Sequence, residues 1–152
     1  MGGLAGGNDG WISNTYAWGN VTGKEAVGGL VGDNDEGFIE KSYSVGKVSG
    51  TTNVGGFVGL NDGGIEDSYW NNETAGVLIG VGSGSSEGVT GKDTQLMKLK
   101  STFLTDHGID DWYGWDFVGP EGGPEDIWDI ADGITYPRLT MSGGMGGGGD
   151  EP

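Results

Sequence analysis

The chain contains no cysteine in 152 residues, which excludes a disulfide framework and any thiolate metal site. Basic residues are scarce: seven Lys and Arg stand against 23 Asp and Glu, for a formal charge of −16. A surface of that sign repels phosphate backbones and anionic headgroups, so nucleic acid is not an expected partner, nor is membrane insertion expected. No apolar stretch approaches the 18 residues of a spanning helix, and no signal-peptide pattern is visible. Histidine occurs once, as His107 in Asp106-His107-Gly108, where a solvated or helix-end role is the expectation rather than a base or metal ligand. Gly-x-Ser-x-Gly, a phosphate-binding loop and His-rich metal spacing are all missing, and no catalytic residue is assigned.

What the chain has in excess is glycine, 36 of 152 residues. Disordered glycine-rich linkers lack large apolar residues, whereas here six Trp, five Tyr and four Phe recur at regular positions. The glycines therefore punctuate regular β structure. Acidity is spread along the chain: residues 1–76 hold ten acids and three Lys, and residues 77–152 hold 13 acids, three Lys and Arg138.

The organising stretch is Gly28-Gly29-Leu30-Val31-Gly32-Asp33-Asn34. It is preceded by Gly2-Gly3-Leu4-Ala5-Gly6-Gly7-Asn8 and followed by Gly55-Gly56-Phe57-Val58-Gly59-Leu60-Asn61. The second glycine recurs at 3, 29 and 56, and Ile12/Ile39/Ile65, Tyr16/Tyr43/Tyr69 and Val21/Val48 keep the same beat. Self-similarity at 20–50 residues marks stacked-repeat architecture. Glycine at this density opposes helix. Each copy (2–27, 28–54, 55–76) reads as three short β segments, a closed circuit whose successors stack about 4.8 Å apart on parallel strands. The expected fold is an all-β parallel β-solenoid of about three coils. An antiparallel sandwich with coincidental repetition is the competing architecture. Leu4/Leu30/Phe57, Ile12/Ile39/Ile65 and Val21/Val48 are the expected interior columns.

Three files of like residues have functional bearing. Asn8, Asn34 and Asn61 form a structural ladder of side-chain amides, as in cross-β arrays. Asp9, Asp35 and Asp62 follow directly; carboxylates about 5 Å apart repel by about 1 kcal/mol even in water, so a calcium ion is the one cofactor the pattern admits, against a solvated turn. Tyr16, Tyr43 and Tyr69 make the third file. Parity counted back from Val48 turns Tyr43 outward, while parity counted forward from Ile39 turns it inward, so a bend lies between. Outward, the file would join Trp18 and Trp70 in an aromatic strip for sugar rings or a protein partner. Inward, it is core.

Residues 77–91 read as a Gly/Ser-rich loop or irregular coil. Thr94–Leu104 is the one helix candidate, capped by Asp93 or Thr94, with Leu96, Leu99 and Phe103 on its apolar face and Gly108 past its end. Residues 92–139 are expected to form a cap in which Trp115-Asp116-Phe117, Trp128-Asp129-Ile130 and Tyr136–Leu139 fold back on the open edge of the last coil. Residues 140–152 read as a tail. Two Asn-x-Thr sites, at Asn20 and Asn72, permit glycosylation. Glu40 with Glu66, or Asp67, would be the acid pairs of a hydrolase, but adjacent coils bring acids to 5–9.5 Å as a matter of course, so spacing carries no weight here.

The pattern Gly-Gly-Leu-Val-Gly-x-Asn, then Gly-x-Ile, then Ser-Tyr-x-x-Gly-x-Val-x-Gly resembles the GLUG-motif repeats of bacterial adhesins and IgA-peptidase-like secreted surface proteins. The run Met97…Phe103…Gly114-Trp115-Asp116-Phe117…Trp128…Gly133…Tyr136-Pro137-x-Leu139 is similar to the segment that closes such arrays. The third copy departs from the pattern at Trp70-Asn71-Asn72. The resemblance implies a non-catalytic structural or adhesive module of an extracellular or cell-surface protein, here a piece of a longer repeat array. Its expected partners are neighbouring repeats, a second copy, or a protein or glycan at a cell surface. A self-assembling filament subunit and a carbohydrate-binding solenoid are the alternatives.

Overall fold

The computed structural model describes residues 1–104, 114–118 and 126–140. The chain winds as a parallel β-solenoid. Its first coil carries β1 (Ala5–Asn8), β2 (Trp11–Ser13), β3 (Tyr16–Ala17), β4 (Val21–Thr22) and β5 (Glu25–Gly28). The second repeats them as β6 (Val31–Asn34), β7 (Phe38–Glu40), β8 (Tyr43–Ser44), β9 (Val48–Ser49) and β10 (Thr52–Gly55). The third has β11 (Val58–Asn61), β12 (Gly64–Glu66) and β13 (Ser68–Asn71), and a reduced fourth has β14 (Val81–Gly84) and β15 (Val89–Lys92).

Equivalent strands form the sheets β1-β6-β11-β14, β2-β7-β12, β3-β8-β13-β15, β4-β9 and β5-β10, all parallel. The register superposes Ile12 on Ile39 on Ile65, Tyr16 on Tyr43 on Tyr69, and Asn8 on Asn34 on Asn61. One expectation is corrected: each full coil has five short strands, not three, and Gly32-Asp33-Asn34 of the organising stretch lies in β6. Of the two readings of residues 77–91, the irregular coil is the one found: β14 pairs with β11 and β15 with β13, because parallel pairing is made by the backbone and survives the loss of the side-chain pattern.

The interior is a column of Leu30, Val31, Ile39, Phe57, Val58, Ile65 and Trp70, with Val21, Val27 and Val48 forming a smaller cluster. Leu4, expected in the first column, is 47% exposed, while its amide donates to the Leu30 carbonyl at 2.9 Å. One interior file tapers along the axis, from Ala17 through Ser44 to Trp70. The indole demands bare backbone around it: a Cβ at Gly56 would lie 2.1 Å from Trp70 Cε3, and one at Gly80 would lie 2.6 Å from Nε1.

The bend that the parity conflict requires is a file of its own. Asn14, Lys41 and Asp67, each directly following β2, β7 or β12, have φ of 51°, 45° and 43°. A left-handed residue at this corner breaks the two-residue alternation, so Ile39 points in and Tyr43 points out. Asn and Asp tolerate the conformation; Lys41 adopts it at a cost of about 1–2 kcal/mol, which the coils on either side must offset.

The helix candidate is shorter than expected. A 3₁₀ turn, Leu96–Lys98, and a single α turn, α1 (Lys100–Phe103), are separated by Leu99 in extended conformation. Asp93, two residues ahead of the N-cap Gln95, accepts the Leu96 amide on its Oδ1 at 2.8 Å. Met97 and Phe103 are the buried residues, whereas Leu96 is exposed. β16 (Trp128–Asp129) and β17 (Arg138–Leu139) form an antiparallel pair.

Candidate functional site

The tyrosine file points away from the solenoid interior, yet it is not a free surface. Tyr43 and Tyr69 are buried in a second hydrophobic cluster made with Val45, Met97, Phe103, Trp115, Phe117 and Trp128. The described part of the expected cap packs along the flank of the coils, across the ladder. Trp128 Nε1 donates to Asn14 Oδ1 in the first coil at 3.1 Å, and Trp115 Nε1 donates to the Asp67 carbonyl in the third at 2.9 Å. Between them Tyr43 donates its hydroxyl to the Pro137 carbonyl and accepts Trp18 Nε1 at 2.9 Å. Trp115 and Trp128 pack at 4.4 Å between ring centroids, and Tyr16 stacks on Tyr43 at 5.3 Å. The flank covers the file because an outward row of tyrosines on a narrow rod buries little by itself, while a second aromatic layer removes both from water.

Electrostatics follow from that cover. Burial holds the Tyr43 phenol far above its ordinary range. Tyr69 is pushed up to about 12 by burial, with the Asp67 carboxylate adding to it.

Asn71, at the point where the third copy departs from the repeat, knits coil to flank. Its Nδ2 donates to Thr94 Oγ1 and to the Tyr136 hydroxyl, both at 3.0 Å, and its Oδ1 accepts the amides of Glu73 and Thr74. Glu73 in turn accepts the Thr94 amide at 3.0 Å, and hydrogen bonds from the Thr94 hydroxyl and amide hold its carboxyl below the usual range.

The expected aromatic strip is therefore not assembled. Trp70 lies inside the solenoid at 5% exposure, Tyr43 and Tyr69 are covered, and Tyr16 is half-buried under the Trp128 ring. Only Trp18, 53% exposed at the margin of the flank, remains open. Sequence reasoning missed a different exposed aromatic: Trp11, 70% exposed, packs on Phe38 at 5.2 Å and donates Nε1 to Glu40 Oε1 at 3.3 Å. The available signal was that Trp11 and Phe38 share a register position beside the isoleucine column.

The asparagine ladder is assembled as expected. Asn8 Nδ2 donates to Asn34 Oδ1 and Asn34 Nδ2 to Asn61 Oδ1, each at 2.7 Å, and Asn61 Nδ2 ends the series on the Ser85 carbonyl. Asp9, Asp35 and Asp62 follow it at the turn with exposed side chains. Among the described residues no group of three or more His, Cys, Asp or Glu side chains is placed to hold a metal ion.

No family model, curated protein or solved structure matches this chain. Glu40 and Glu66 are register partners; Glu40 is engaged by Trp11 and lies 4.0 Å from Lys41 Nζ, Glu66 is exposed, and Asp67 forms the left-handed corner. Asn20 and Asn72 are exposed; Asn20 Oδ1 accepts the Lys47 amide at 3.0 Å, and the Asn72 amide donates to the Lys92 carbonyl at 3.0 Å. His107, Gly108 and the tail from 141 lie outside the described residues.

Proposed function

We propose that the chain is a non-catalytic structural or adhesive module of an extracellular, cell-surface repeat protein. The observation that carries this reading is how the polar and aromatic residues are used. The Asn ladder, the Thr15–Ser42 and Ser42–Ser68 contacts, and the tyrosine file with its flank all bond coil to coil, not toward a common point. Side chains spent on stacking make a rod, and a rod of acidic surface suits a spacer held away from anionic cell envelopes. The resemblance to GLUG-motif repeats supports the same placement.

The test displays the protein on beads, measures retention on immobilised glycans and matrix proteins, and assays soluble protein against a panel of acidic and neutral polysaccharides. The reading expects no turnover, with any retention surviving Glu40→Gln. Depolymerisation that disappears in Glu40→Gln or Glu66→Gln would overturn it. Retention on glycans lost in Trp11→Ala and Trp18→Ala would move the module to the carbohydrate-binding class.

A further inference from the structure

Apart from the tyrosine file, the rod carries a second aromatic feature on the outer side of the isoleucine column. On β2, β7 and β12 the residues just before Ile12, Ile39 and Ile65 are Trp11, Phe38 and Gly64, which share one register position. Each ring leans onward along the axis. Trp11 packs on Phe38 at 5.2 Å with 59° between the planes, and its Nε1 donates to Glu40 Oε1 in the second coil. Phe38 in turn lies over the third coil, where a Cβ at Gly64 would fall 2.6 Å from its Cδ2. Glycine at 64 is what lets that ring lie down. The result is an aromatic shelf on the side of the rod, with Trp11 70% exposed and Phe38 half-buried. The hydrogen bond to Glu40 holds the indole in place before any partner arrives, which lowers the ordering cost of binding against it.

The surroundings of the shelf carry one sign. Two residues further along each strand, Ser13, Glu40 and Glu66 form the neighbouring file. Glu40 lies 4.0 Å from Lys41 Nζ, whereas Glu66 is exposed and has no ion-pair partner among the described residues. Pairing places Glu66 one coil beyond Glu40, about 5 Å away at the spacing of adjacent strands. The segments 9–13, 35–41 and 62–67 that build this side hold seven acids, and Lys41 is their one base. An exposed indole face beside carboxylates attracts a cation and repels an anion. Arginine suits it better than lysine. A guanidinium is planar, stacks on aromatic faces and pairs with a carboxylate through its N–H fork, while an ammonium is a strongly hydrated point charge.

We propose that this shelf is a docking surface for an arginine-bearing polypeptide. One guanidinium lies on the Trp11 ring and a second pairs with Glu66. The proposal rests on the adhesive half of the function given above and names the chemistry of the partner. The charge of −16 draws a basic segment towards the rod, and the shelf gives it a defined seat.

The probe is a fluorescein-labelled peptide, Gly-Arg-Gly-Arg-Gly, titrated with the full chain to about 1 mM and read by anisotropy. Saturable binding is expected, weakened about fivefold or more by Trp11→Ala and by Glu66→Gln. It should vanish when citrulline, neutral and of similar shape, replaces both arginines. Glu25→Gln, which removes the same charge from β5 in another sheet, should leave binding unchanged. These side chains are exposed, so the melting curve should not move; if Trp11→Ala alters it, Trp11→Leu keeps apolar bulk on Phe38 without an indole face. Absence of saturation, equal binding of the citrulline peptide, or equal binding to the Trp11 variant with an unchanged melt overturns the proposal. So does equal weakening by Glu66→Gln and Glu25→Gln, which would show only general attraction to an acidic surface. Saturable binding of cellohexaose that Trp11→Ala removes, with none of the arginine peptide, would assign the shelf to a sugar instead. Any of these failures leaves the structural reading standing, since that reading falls on polysaccharide turnover, which this titration does not measure.

Discussion

Removing the Trp128 indole tests whether the flank is held by its aromatic layer. Trp128 is fully buried, touches Trp115, Tyr16 and Tyr43, and donates to Asn14. A tryptophan buries about 150–250 Å², which at about 25 cal/mol per Å² is worth roughly 4–6 kcal/mol; Trp→Ala changes in cores cost about 3–5 kcal/mol. For Trp128→Ala we expect a loss of about 4 kcal/mol, concentrated in the flank, since the interior column of Leu30, Ile39, Phe57, Ile65 and Trp70 does not include it. Urea unfolding should therefore split: near-ultraviolet dichroism, reporting the aromatic layer, is lost before the far-ultraviolet β signal. Tyrosine ionisation at 295 nm gives the independent check, because exposing Tyr43 and Tyr69 returns them toward 10.0. A loss below about 1 kcal/mol, or a tyrosine titration identical to the parent's, would refute the argument that this ring holds the flank over the ladder.

Asn34→Ala should cost about 3 kcal/mol by urea denaturation, since it strands buried partners on both sides, whereas Asn8→Ala at the head of the file should cost about 1 kcal/mol. Gly56→Ala drives a methyl into the Trp70 ring and should lower stability by about 1–3 kcal/mol or more; Gly10→Ala, which faces open space, should leave the melting temperature unchanged. Folded-state Tyr69 is raised to about 12 from 10.0, so the unfolded chain loses its proton first; stability should be flat below pH 10 and fall between pH 10 and 12, with Tyr43 prolonging the fall. A pH series of thermal melts on the parent and on Tyr69→Phe, whose fall should be shallower, checks this.

The period of the chain made the stack legible, and with it the columns of Ile39 and Ile65, because like residues at one spacing can only mean like positions. The direction of Tyr43 was not legible. It depends on Lys41 taking a left-handed conformation, and no local preference of lysine signals that. Strands of two residues such as Tyr43–Ser44 leave no alternation to read, so five segments per coil looked like three. Coil four read as either loop or irregular coil because Gly84 and Thr90 occupy the places of Asn61 and Tyr69 while the backbone goes on pairing. The aromatic wealth of 115–136 and the tyrosine file were each visible in the sequence, but their contact joins residues such as Asn14 and Trp128, 114 positions apart, which periodicity does not address.

The taper from Ala17 through Ser44 to Trp70 means that the coils are not interchangeable parts. A duplicate of the second coil, bringing another serine, could lengthen the rod without disturbing its neighbours. A duplicate of the third would set one indole above another in a lumen with room for one, so the order of the repeats is written into the bore of the tube.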